Sequence, residues 1–301
     1  MPRYLTKIIS SPLAWIEDDD EKERVWEAAS QRLAERSGWT AITRSFVIPL
    51  HATSVVHDII SRNPLSTTEA VLAAAEPNPK SCVELTLAEP ALTSDNLGHK
   101  TWASSYLLAK RLSLLHPNLP SVPSGTAILE LGAGTGLVGL AAAAVFQTHV
   151  ILTDLPAIVS NLDQNAKANA ASLSACGGRT DAAVLDWTDP GSFRLDDTYN
   201  GDGNMFSLIL AADPIYSPEH PGLLAQAVGY HLSKSPDARV VVEMPLREAY
   251  GSERDDFRAK MTALGLEIID EGEETGFDDW SSGNSEELLE VKCWWSVWAW
   301  R

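Results

Sequence analysis

Cysteine is scarce in this sequence: Cys82, Cys176 and Cys293 are scattered, odd in number and in no Cys-x-x-Cys pair. That argues against a disulfide framework and against a thiolate set for a structural metal, so no metal site is expected. A reducing compartment, cytoplasm or nucleus, is expected instead. Long hydrophobic runs are missing too. No apolar stretch reaches the roughly 18 residues that a membrane span needs. The opening residues, MPRYLTKIISSPLAWIEDDDEKER, soon turn acidic, so no secretory signal is expected. Positive charge is in short supply, with 23 Lys and Arg against 41 Asp and Glu, a net charge of −18. Such a surface repels phosphate backbones, which disfavours nucleic acid and favours a basic protein partner.

What is present is a globular chain of 301 residues with 45% apolar content and no internal repeat. Acids followed by helix formers predict a helix over 17–36. SFVIPL (45–50) and the alternating CVELTLAEP (82–90) read as strands that pair as a hairpin, and the Pro-rich stretch 62–80 reads as a loose insertion. From about residue 100 the pattern changes. TWASSYLLAKRLSLL has helical spacing. Strands are then expected at 127–131, 149–154, 181–187, 206–213, 238–244 and 266–272, with helices between them at 137–146, 157–169, 218–233 and 255–264. The last stretch, LLEVKCWWSVWAW, reads as a seventh strand with Trp295 on one face and Trp294, Trp298 and Trp300 on the other.

Alternating strands and helices imply a parallel sheet covered on both faces. The final two strands have no helix between them, only the polar link EGEETGFDDWSSGNS, so an antiparallel C-terminal hairpin is expected. A doubly wound sheet with that ending is the shape of class I, seven-strand methyltransferases. The expected division is an N-terminal α/β extension over 1–95 and a Rossmann-like domain over 96–301.

The segment ILELGAGTGLVGL (128–140) carries the chemistry. A strand ends in Glu130 and Leu131, and Gly132, Gly134 and Gly136 follow on alternate positions. A glycine turn between strand and helix lets a ligand approach the backbone where a Cβ would block it. Dinucleotides and S-adenosylmethionine both use this device. Gly134, Gly136 and Gly139 spell the dinucleotide pattern, whereas the acid ahead of the glycines suits S-adenosylmethionine. Asp154 ends the next strand about 20 residues on, where an acid can hold ribose hydroxyls of either ligand. Asp186 beside Trp187 could take an adenine amino group and cover its ring. Asp213 ends the fourth strand. Lone strand-end acids are commonly turn formers, but four strands in succession ending in Glu130, Asp154, Asp186 and Asp213 predict carboxylates converging on one rim. Trp102 on an apolar helical face also fits ordinary core, and His99 reads as structural.

Together, GHKTWASSYLLAKRL, ILELGAGTGLVGL, TDLPAIVSNLDQN, LDW and AADPIYSPEHPGLL resemble family 16 of the seven-strand methyltransferases, the methyltransferase-like-21 group of protein-lysine methyltransferases. The resemblance covers about 98–301, and SDNLGHKTWASS is similar to the fungal branch that methylates elongation factors. It implies S-adenosyl-L-methionine as cofactor and S-adenosyl-L-homocysteine as product. It implies that Trp102, Glu130, Gly132, Gly134, Gly136, Asp154, Leu155, Asp186, Trp187 and Ala212 bind the cofactor, and that Asp213 and Tyr216 line the lysine channel. The implied partner is a folded protein such as a translation elongation factor, met by a monomer. A small-molecule methyltransferase, a non-catalytic interaction protein on the same fold and a nicotinamide oxidoreductase are the rival readings.

Overall fold

The structure is a computed structural model. It describes residues 8, 11–16, 18, 21, 22, 24–26, 28, 29, 41–52, 81–90, 97–123, 125–196, 199, 202–278 and 289–301. Of the helix expected over 17–36, the described residues between 21 and 29 are helical, and the expected insertion at 62–80 lies outside the described residues.

Two strands, β1 (Ile42–Pro49) and β2 (Cys82–Glu89), pair antiparallel with Ile42 opposite Glu89. Then follow α1 (Ala103–Leu115), β3 (Ala127–Leu131), α2 (Leu137–Phe146), β4 (His149–Asp154), α3 (Pro156–Ala175), β5 (Arg179–Val184), β6 (Leu208–Ala212), α4 (His220–His231), β7 (Arg239–Pro245), α5 (Gly251–Ala263), β8 (Leu266–Asp278) and β9 (Leu289–Trp300). The main sheet has seven strands in the order β5-β4-β3-β6-β7-β9-β8. The first five are parallel, and β9 runs antiparallel between β7 and β8. The expected C-terminal hairpin is therefore present, with its last strand inserted next to the parallel core.

The central strands are apolar throughout because both faces are covered. β3 and β6 are buried at every residue. One face carries α1, α2 and the β1–β2 pair, whose Ile48, Val83, Leu85 and Leu87 join the same apolar cluster as Leu108, Leu112 and Leu140. The other carries α4 and α5 through Leu224, Val228, Phe257 and Met261. β9 divides as its alternation predicts, with Trp295 and Val297 facing the first cluster and Trp294, Trp298 and Trp300 the second.

β8 corrects the sequence reading. It runs to Asp278, not to 272, so Glu273–Asp278 are strand where a polar link was expected. Long-range pairing overrides the polar composition here: β9 offers partners as far as Leu289, opposite Asp278. Arg111 on α1 hydrogen-bonds Glu274, and a Cβ on Gly276 would meet Leu107 at 2.9 Å.

The order reverses between β3 and β6, since β3 has β4 on one side and β6 on the other. Ligands of open α/β sheets bind outside the carboxyl ends of strands at such a switch point.

Candidate active site

The glycine turn leaves β3 at that point. Gly132, Gly134 and Gly136 have φ of +68°, +58° and +93°, a region in which other L-residues are strained. Gly136 caps α2. The turn is tied to β4 through Ala133 N–H, which donates to Thr153 O at 2.9 Å. Asp154 reaches in from the end of β4. Its Oδ2 accepts from Gly134 N–H and its Oδ1 from Leu155 N–H, both at 2.7 Å. Leu155 itself is half exposed at the start of α3.

Glu130 does not face the rim. Its carboxyl lies beneath the turn and accepts from Gly139 N–H at 3.0 Å. Burial pushes its pKa well above the ordinary carboxylate range, and the bond from Gly139 N–H opposes that rise while tying the acid to the turn. Of the four strand-end acids, Asp154 and Asp213 lie close enough to one phenol, that of Tyr216, for their charges to raise its pKa. Asp186 stands more open just beyond β5. It accepts from Thr188 N–H and Thr188 Oγ1, and these bonds lower its pKa. Trp187 turns its ring toward the glycines, and a Cβ on Gly132 would lie 3.1 Å from it.

Ala212 ends β6, and Asp213 follows with φ +49°. Its N–H donates to Glu243 O at 2.8 Å, and its buried carboxylate is gripped by Arg247 at 2.9 and 3.2 Å. Burial raises the Asp213 pKa while Arg247 opposes the rise. Arg247 also lies 5.6 Å from the centre of the Trp102 ring, and Lys100 lies 5.2 Å from it, so two cations attend one indole. Asp278, buried at the end of β8, accepts from Ala103 N–H at 2.8 Å and so fixes the residue after Trp102.

Tyr216 is 46% exposed. Its ring meets His220 edge-on at 4.2 Å between centroids, and His220 in turn meets Trp187 at 6.1 Å. An aromatic wall thus links the β6 loop to the glycine turn. Desolvation, Asp154 and Asp213 push the Tyr216 phenol up to about 12. His99 is buried with Nε2 unpartnered among the described residues.

Sequence reasoning missed Arg247, Asp278 and His220. His220 lies four residues past Tyr216, a spacing that could have suggested the contact. Arg247 and Asp278 sit in loop and link sequence with no periodic signal. Among the described residues no group of three or more acids, histidines or cysteines could hold a metal.

A seven-strand sheet of this order, with a glycine turn and a strand-end acid at its switch point, defines the class I methyltransferase fold. The chain belongs to the lysine methyltransferase family, whose model matches residues 80–261. It is 38% identical over 212 residues to the protein-lysine N-methyltransferase EFM2 of Saccharomyces cerevisiae, covering 65% of this chain and 48% of that one. It is 33% identical over 297 residues to the protein-lysine N-methyltransferase rrg1 of Schizosaccharomyces pombe, covering 98% of this chain and 84% of that one. A third relative, EEF1A lysine methyltransferase 3 of Xenopus tropicalis, is 30% identical over 129 residues, 42% of this chain and 50% of its own. The chain thus spans about half the length of the budding-yeast relative and most of the fission-yeast one.

Proposed function

We propose that this protein transfers methyl groups from S-adenosylmethionine to a lysine side chain of a folded protein, with an elongation factor as the leading substrate. The observation that carries the reading is the meeting of the glycine turn with Asp213 and Tyr216 where β3 and β6 end.

The residues fit the cofactor. Asp154 keeps acceptor capacity for ribose hydroxyls beyond its two backbone bonds, His99 Nε2 is buried and unpartnered among the described residues, and Trp187 and Asp186 flank the turn where an adenine would lie. Gly132, Gly134, Gly136, Leu155 and Ala212 would form the floor, and Trp102 a wall. When bound, S-adenosylmethionine supplies a methyl group activated by a sulfonium.

The chain's own residues must deliver a neutral amine to it. A free lysine has a pKa of ~10.4 and meets the site as an ammonium. An unpaired carboxylate would hold it so. Arg247 pairs with Asp213, which offsets part of that carboxylate's pull on the ammonium and leaves it a hydrogen-bond acceptor. Desolvation then favours loss of the lysine proton to bulk water at the exposed mouth, and the neutral amine takes the methyl group as S-adenosylhomocysteine leaves. Tyr216 offers a ring face beside the path and keeps its phenol proton, and its exposure leaves the mouth open to a protein side chain. Positioning of this kind carries much of an in-line displacement.

An elongation factor is supported by the name of the Xenopus tropicalis relative and by the acidic surface, which suits a basic docking site. Three free cysteines suit the cytoplasm or nucleus. The test is transfer of labelled methyl from S-adenosylmethionine into purified elongation factor 1A and into whole-cell extract, beside Asp213→Ala. One labelled protein band, lost in the variant, is expected. Label confined to small molecules would sink the lysine reading.

A further inference from the structure

The β1–β2 pair belongs to the wall of the glycine turn. β2 has β1 along one edge, and along the other α3 supplies a ladder of asparagines where a third strand would lie. Asn165 pairs with Ala88 as a strand residue would. Its Oδ1 accepts Ala88 N–H at 2.8 Å, and its Nδ2 donates to Ala88 O at 3.1 Å. Asn169 does the same for Thr86 at 2.9 and 2.8 Å, and Asn161 adds a bond to Ala88 O at 3.1 Å. One helical turn separates each asparagine from the next, so the amides rise in step with alternate residues of β2.

Asn165 also reaches past the strand. Its Nδ2 donates to Thr135 O at 3.0 Å, and Thr135 stands between Gly134 and Gly136 in the turn. Thr135 Oγ1 lies 2.7 Å from Thr101 Oγ1. Thr101 N–H donates to Glu89 Oε1 at 3.1 Å, and Glu89 is the residue after Ala88. The circuit Ala88, Asn165, Thr135, Thr101, Glu89 therefore closes on itself, with Glu89, Thr101, Thr135 and Asn165 all buried. Arg44 on β1 holds the other oxygen of Glu89 at 3.1 Å. The turn that contains Gly98 lies on the glycines, since a Cβ on Gly134 would stand 2.9 Å from Gly98 O.

We infer that the β1–β2 pair is a structural part of the cofactor site, and that Asn165 and Glu89 are positioning residues that hold the glycine turn and the Trp102 segment at one fixed separation. The inference rests on the reading of the glycine turn as the S-adenosylmethionine site. Neither residue touches the ligand. They act through Thr135 and Thr101, the first within the turn and the second next to Trp102. Backbone groups in a glycine turn bind well only when held in place before the ligand arrives.

Asn169 provides the internal control, because it clamps β2 to α3 as Asn165 does yet has no bond to the turn. The experiment is titration calorimetry of the full chain with S-adenosylhomocysteine, for wild type, Asn165→Leu, Glu89→Gln and Asn169→Leu, each with its thermal midpoint. Glu89→Gln preserves shape and guards against loss of fold in the leucine variants. Expected is a Kd raised at least tenfold for Asn165→Leu and at least threefold for Glu89→Gln, with Asn169→Leu within twofold of wild type despite a comparable fall in Tm. Unchanged Kd in the first two variants would overturn the inference, as would equal weakening in all three, which would mark the ladder as simple packing. Wild type that fails to bind S-adenosylhomocysteine would overturn the reading of the turn itself, and this inference with it.

Discussion

Arg247 closes on Asp213 through two hydrogen bonds, Nη2 to Oδ2 at 2.9 Å and Nη1 to Oδ1 at 3.2 Å. The pair offsets part of the charge of Asp213, the acid that the proposed function places in the lysine channel. Removing the guanidinium leaves the incoming ammonium to take its place as the counter-charge of the buried Asp213. Arg247→Gln is therefore expected to move the ascending limb of the methyl-transfer pH profile to higher pH, with activity at pH 7 down at least tenfold and recovering toward pH 10. A uniform loss at every pH would show that Arg247 only shapes the loop.

Under the proposed function Tyr216 would act through its ring. Its phenol, pushed up to about 12, stays protonated across the working range and adds no limb to the profile. Tyr216→Phe is expected to retain kcat/KM, whereas Tyr216→Ala lowers it by about 2–30-fold, the equivalent of a cation–π contact of roughly 0.5–2 kcal/mol. If the phenylalanine variant is as poor as the alanine one, the hydroxyl is required.

Two glycines at positive φ separate conformation from space. Gly125 has φ +84° with nothing within 4 Å of an added Cβ, and Gly134 has φ +58° with the Gly98 carbonyl 2.9 Å away. Gly125→Ala is expected to cost only the left-handed penalty of about 1–2 kcal/mol and to leave S-adenosylhomocysteine binding intact. Gly134→Ala should cost more and abolish binding. Calorimetry and thermal denaturation of both variants check this.

His231 is fully buried among the rings of Phe193, Phe206 and Tyr230, and desolvation lowers its pKa to about 4. The unfolded chain takes up that proton near pH 6.5 and the folded chain only near 4. Stability from neutral His231 is thus full above about 6.5 and declines as pH falls toward 4, by up to about 1.4 kcal/mol per pH unit. His231→Phe should flatten this acid limb relative to wild type in denaturant titrations between pH 4 and 7. Parallel limbs would assign the acid sensitivity elsewhere.

Much of the site was legible because glycines and strand-end acids carry local meaning. The turn at Gly132–Gly136, Asp154 at the end of β4 and Asp213 at the end of β6 stand where spacing put them. Glu130 misled, since a strand-end acid can point beneath the turn as easily as above it. The asparagine ladder was hidden: Asn161, Asn165 and Asn169 read as polar positions of a helix, and only the arrival of β2 from about 80 residues earlier gives them partners.

By itself the sequence determined the order of strands and helices, the burial of β9 on both faces and the location of the ligand turn, because periodicity and glycine chemistry act within a few residues. Only the tertiary structure decided that β9 enters beside β7, that β8 extends to deliver Asp278 to Trp102's helix, and that Arg247 pairs with Asp213. Those choices depend on pairings between residues far apart in the chain. Such contacts leave no period in the sequence, and buried charges find their partners only when the sheet brings the ends of its strands together.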